Sequence, residues 1–245
     1  MKQKAPAFWG LLTGSLRDFW HERRSLMLVA VVVALPVGLI SLLSQDPGIL
    51  AYGSLAAVVM NLALIWTVVR LGKGQAVKLK EAYYEGTSAL VRFLLVALVL
   101  VASLLPFVIG ATVFSSAVSD VTVQVSLAEK LLVGLLWLIL SIPTVRWLTR
   151  YSFSLLLASQ PGTTPIQALR LSKQRAQGHG WAIFGRLLGL TLFLVAVIFI
   201  PTIAIYILIP PVFSSFVLAV LQLVVTLTIL PIFYVFLYRL YEGLA

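Results

Sequence analysis

The chain has 245 residues, 61% of them hydrophobic and 11% charged, with a net charge of +10. Soluble domains run near 45–50% apolar and about 25% charged, so a water-soluble fold would strand apolar surface that a bilayer would solvate. Cysteine is absent, which excludes disulfides, thiolate metal sites and cysteine nucleophiles.

In chain order, residues 7–24 place Phe8, Leu12, Leu16, Phe19 and Trp20 at helical spacing, with Arg17, Asp18, Arg23 and Arg24 on the other side. That is the pattern of an amphipathic helix lying at a membrane surface. The apolar run 25–43 follows. Ser44-Gln45-Asp46-Pro47 lacks the small-x-small pattern of a signal-peptide cleavage site, so 25–43 is expected to be a retained first span. A crossing helix needs about 20 mostly apolar residues, and 48–69 supplies the second. Ala76–Gly86 reads as another surface helix, ahead of a third span at 91–115. A longer connection, Ser116–Lys130, carries Asp120 and Glu129 and leads to a fourth span at 131–155. Thr164 offers an N-cap, Pro165 a first helical position and Gly178 a stop, which predicts a short helix over 165–177. Trp181 then sits at the interface, and spans at 185–208 and 211–237 complete the chain. The connections Ser44–Pro47 and Ile209–Pro211 are short enough for tight antiparallel pairs. The expected fold is one all-α integral membrane domain over 1–245. It has six transmembrane helices as three hairpins, each preceded by a cytoplasmic amphipathic helix.

Orientation follows from the cations. With the N-terminus inside, the inner segments carry 17 of the 18 Lys and Arg, Lys130 being the exception, and five of the eight acids. The opposite orientation would translocate nearly every cation, against the positive-inside bias. Both termini are therefore expected in the cytoplasm. The order of surface helix and hairpin recurs three times, and Pro36, Pro106 and Pro201 lie 12, 14 and 15 residues beyond Arg24, Arg92 and Arg186. This reads as a degenerate threefold repeat.

The order established, particular stretches carry a resemblance: Phe19-Trp20, Glu81-Ala82-Tyr83-Tyr84, Arg146-Trp147 through Arg150-Tyr151-Ser152-Phe153, and Ala168-Leu169-Arg170-Leu171-Ser172 followed by Gly180-Trp181. Together they resemble an uncharacterised bacterial six-helix membrane protein family, itself similar to the membrane domain attached to some glycerophosphodiester phosphodiesterases. The resemblance implies a prokaryotic cytoplasmic (inner) membrane and a six-helix domain. It brings no catalytic residues to map, and the phosphodiesterase catalytic domain is not in this sequence.

Intramembrane catalysis needs a titratable group or a nucleophile with its base. No Asp, Glu, Lys or His falls in the central part of any expected span, Gly-x-Ser-x-Gly is missing, and Gly72-Lys73-Gly74 lacks the other P-loop positions. Two scattered histidines, His21 and His179, do not make a metal site. The expectation is a non-enzymatic protein without cofactor. The basic residues form no run, so nucleic acid is not expected as a partner; the anionic inner leaflet is nearer. Arg92, Arg146, Arg150 and Arg186 sit just inside cytoplasmic helix ends, where an arginine either snorkels to the interface or holds an anionic lipid headgroup. Arg146 and Arg150, four apart, share a helix face. Asn61 and Gln222 are the candidate intramembrane polar contacts, either between helices or toward a substrate. The leading expectation is a lipid-associated scaffold. The alternative is a small-solute transporter or channel whose helices break at Pro36, Pro106 and Pro201 to line a cavity. Protein partners and oligomeric state stay open.

Overall fold

The structure is a computed structural model and describes residues 7–43, 47–119, 126–208 and 211–244. Ten helices occupy these residues: α1 (Phe8–His21), α2 (Arg23–Leu43), α3 (Pro47–Gly72), α4 (Leu79–Ser88), α5 (Leu90–Ser119), α6 (Leu127–Tyr151), α7 (Ser154–Ala158), α8 (Pro165–Ala176), α9 (Gly180–Leu208) and α10 (Pro211–Glu242). Among the described residues there is no strand.

Among the described residues, four stretches are long and apolar enough to cross a membrane: Leu90–Ser116, Ala128–Ala158, Gly180–Ile205 and Leu223–Glu242; Ala56–Gly72 is a shorter apolar helix. In the second and third of these, only 6% of the most apolar window is buried inside the protein. Their Leu, Ile and Val side chains therefore need an apolar solvent. α3 is the opposite case. Leu62, Ala63, Leu64, Ile65 and Trp66 are all buried in succession, which happens only when a helix is enclosed on every side. Around it pack α2, α4, α5, α7 and α10.

Small residues set the close approaches. A methyl group added at Gly86 on α4 would stand 3.1 Å from the Ala63 Cα on α3, and one at Gly110 on α5 would stand 2.8 Å from the Trp137 ring on α6. Apolar side chains gain little by meeting one another rather than lipid, so such backbone contacts decide which faces meet. Each short helix packs on the elements that precede it: α4 on α3 and α2, and α8 on α7, α6 and α5. α1 packs on α10 and, more lightly, on α2 and α9. α1 turns Leu11, Leu12, Ser15 and Phe19 inward, with the Phe8 ring 6.1 Å from Phe236, and leaves Trp9 and Trp20 exposed. On α4, the Tyr83 hydroxyl donates to the Val29 carbonyl at 2.5 Å, and burial pushes its phenol above the usual tyrosine range.

Several boundaries differ from the sequence expectation. α6 begins at Leu127 inside the expected 116–130 connection, because Ser126 and Glu129 form a reciprocal capping box; residues 120–125 lie outside the described residues. The expected span 131–155 is interrupted at Ser152–Phe153 and resumes as α7. The buried Ser172 hydroxyl on α8 bridges that break, accepting from the Phe153 N–H at 3.2 Å and donating to the Arg150 carbonyl at 2.9 Å. α8 itself is capped by Thr164 and Gln167 with Pro165 in its first turn, and Gly178 turns the chain out of it at φ +80°. The helix breaks that the transporter alternative calls on are not seen: α2, α5 and α9 run on through Pro36, Pro106 and Pro201, as α6 and α10 do through Pro143 and Pro231. A membrane helix tolerates the lost hydrogen bond when local geometry and neighbours compensate.

Candidate functional site

The residues singled out by sequence separate in space. Arg92 is half-buried at the start of α5, and its guanidinium donates to the carbonyls of Gln160 and Thr163, both at 3.1 Å. It ties α5 to the turn between α7 and α8. Arg186 lies on α9 with its Nη1 enclosed and without a hydrogen-bond partner among the described residues. Asn61 accepts a hydrogen bond from the Tyr234 hydroxyl at 2.6 Å and donates to the Ala57 carbonyl at 2.8 Å. Its amide thus joins α3 to α10. Gln222 belongs to α10, but its side chain lies outside the described residues.

Arg146 and Arg150 alone of the four arginines share a groove. It measures about 610 Å³ and runs between α6 and the turn that links α8 to α9. Residues 138, 142, 146 and 150 follow one another a turn apart, so they line one face of α6. Leu138, Ile142 and Val145, with Phe184 from α9, give it an apolar lining, which Arg146, Arg150, Gln177 and Trp181 share. Trp181 is 86% exposed, as expected of an indole at a membrane–water boundary. Neither guanidinium forms a hydrogen bond or ion pair with a described residue. Ser172 anchors the Arg150 backbone from α8, so the wall carrying the two cations is braced from behind.

A larger cavity, about 800 Å³, lies between α1, α2, α3 and α10. Its principal cation is already matched. Arg239 binds Asp18 through two hydrogen bonds, Nε to Oδ2 and Nη2 to Oδ1, the latter 2.7 Å long. Gly14 makes this possible, since a methyl there would lie 2.2 Å from the Arg239 Nη1. Similarly, Arg70 is occupied by the Trp66 ring at 4.9 Å, the Gln75 side chain at 2.7 Å and Glu85 at 4.0 Å. The larger cavity also carries Arg17, but Asp18, Glu22 and Glu242 share its lining, whereas the smaller groove is lined by two unpaired arginines and no acid. Sequence reasoning picked Arg146 and Arg150 from their i, i+4 spacing. It missed Trp181 and Gln177 as their neighbours, and Asp18 and Tyr234 as partners, since nothing local signals those pairings. His179 sits in the α8–α9 turn with its Nδ1 enclosed and unpartnered, and among the described residues no three His, Asp or Glu side chains gather as a metal site. Compared with models of protein families, with curated proteins and with solved structures, the chain matches none.

Proposed function

We propose that the protein is a non-enzymatic integral membrane protein that holds an anionic lipid headgroup at Arg146 and Arg150 and serves as a lipid-associated scaffold. It crosses the bilayer six times as three hairpins. Both termini and the short helices α1, α4 and α8 face the cytoplasm, and the membrane is the prokaryotic inner membrane that the resembled family implies. Length supports the two additional spans: α2 has 21 residues and α3 has 26, about 31 and 39 Å of helix against about 30 Å of hydrocarbon. The orientation rests on the cation distribution. The lipid reading rests on one observation, that two unpaired arginines and an apolar lining share one open groove. A lipid satisfies both parts at once, phosphate against arginine and chain against leucine.

The transporter reading drew on helices broken at mid-membrane. It is weakened by unbroken helices through Pro36, Pro106 and Pro201 and by the Asn61 amide being taken up by Tyr234. The test is native mass spectrometry of the full chain released from nanodiscs of mixed phosphatidylglycerol and phosphatidylcholine. Retention of phosphatidylglycerol above its bulk fraction, lost in Arg146→Gln/Arg150→Gln, is expected. Retention at the bulk fraction would remove the proposal. Cysteine labelling that placed residue 163 outside the cell would overturn the orientation.

A further inference from the structure

The groove has a second anion-binding element besides its arginines. Opposite α6 it is lined by Gln177, Gly178, Gly180 and Trp181, from a glycine-flanked turn that opens the 29-residue helix α9 at Gly180. The first backbone N–H to reach back within this helix is that of Ile183, to the His179 carbonyl at 2.9 Å. Gly180 and Trp181, both lining the groove, therefore carry N–H groups with no intrahelical acceptor, at the positive end of the helix dipole. A methyl group added at Gly178 or at Gly180 would meet nothing within 4 Å, so the approach to that helix end is open. Arg146 and Arg150 on α6 and the first residues of α9 thus line one groove, together with Leu138, Ile142, Val145 and Phe184.

We infer that the groove selects lipids ending in a phosphomonoester, of the phosphatidic acid type, over the phosphodiester headgroups of bulk anionic lipids. This rests on the anionic-lipid reading given above and narrows it. A phosphodiester presents one negative charge and two free oxygens. A phosphomonoester presents nearly two charges and three free oxygens, enough to meet both arginines and the α9 N–H groups together. A polar substituent on the phosphate would take up one of those oxygens and need room between the walls. The apolar lining commits the ligand to a lipid, since a soluble phosphate ester leaves it bare. The cavity at α1 supplies an internal parallel: there a guanidinium of α10 is matched by the Asp18 carboxylate from a neighbouring helix, whereas the arginines of the groove have no such carboxylate among the described residues.

The test uses the full chain in nanodiscs containing equal phosphatidic acid, phosphatidylglycerol and phosphatidylcholine, read by native mass spectrometry of retained lipid. Phosphatidic acid is expected to exceed phosphatidylglycerol about tenfold, the effect of one further charge-assisted hydrogen bond. Gly180→Asp places a carboxylate where the phosphate would sit, at a helix position that favours an acid, and should abolish the preference while thermal stability is kept. Gly180→Ala should retain it. Glycerol 3-phosphate should not displace the lipid. Equal retention of the two anionic lipids, both above phosphatidylcholine, would refute this inference and leave the anionic-lipid reading standing; no anionic preference would remove both. An unchanged preference in Gly180→Asp, or displacement by glycerol 3-phosphate, would also overturn it.

Discussion

Replacing Ser172 by alanine deletes one oxygen from a junction where two elements depend on it. Ser172 is fully buried, and its hydroxyl supplies the Phe153 N–H and the Arg150 carbonyl at the point where α6 gives way to α7. Without it the buried Phe153 N–H and the part-buried Arg150 carbonyl both lose this partner. An unsatisfied buried group costs about 1–3 kcal/mol; because the N–H contact is long at 3.2 Å, we take the low end for each and expect about 2 kcal/mol in all. For a chain of this size that is about 4–8 °C in Tm, measurable by intrinsic tryptophan fluorescence in detergent. The control is Ser15→Ala. Ser15 is equally buried, but its hydroxyl donates to the Leu11 carbonyl of its own helix at 2.7 Å, so the carbonyl keeps its backbone donor and the change should stay within about 0.5 kcal/mol. Ser172→Ala should also weaken retention of anionic lipid, since it frees the backbone that carries Arg150. If both variants melt together, the bridging role assigned to Ser172 is wrong.

Gly86→Val should destabilise by about 1–3 kcal/mol, because the new side chain meets the Ala63 backbone rather than a mobile side chain; an unchanged melting curve would show that α4 and α3 do not approach this closely. A double-mutant cycle on Asp18→Asn and Arg239→Gln should give a coupling of about 1 kcal/mol that shrinks with added salt, as befits a half-exposed pair. The cycle Asn61→Ala with Tyr234→Phe should give about 0.6 kcal/mol, the usual strength of a hydrogen bond between membrane helices, with no salt dependence. Tyr83→Phe should cost about 1 kcal/mol at neutral pH. Because burial raises its folded-state pKa, the wild-type contribution is complete below the unfolded value of about 10 and is lost as pH rises beyond it; the two proteins should converge in alkaline melts.

Where the helices lie was largely readable along the chain. Long apolar runs require a bilayer-like solvent, and capping chemistry is local: Thr164, Pro165, Gln167 and Gly178 delimit α8 through groups only a few residues apart. The same locality could have revealed the capping box of Ser126 and Glu129, which the reading of 116–130 as a connection passed over. The break at Ser152–Phe153 was not readable in this way, because the serine that bridges it comes from another helix 19 residues on from Phe153.

What the sequence by itself determined is therefore the class of the protein, an all-helical chain with stretches apolar enough to cross a membrane, together with a pair of arginines on one helix face. Only the tertiary structure decided which cations are occupied: Arg92 by carbonyls, Arg70 by an indole, Gln75 and Glu85, and Arg239 by Asp18, with Arg146 and Arg150 left unpaired in a groove they share with the start of α9. The physical reason is that a helix apolar on all sides has no preferred inward face, so hydropathy cannot choose its neighbours. Close approaches at glycines such as Gly86 and Gly110 make that choice, and they join residues far apart in the chain.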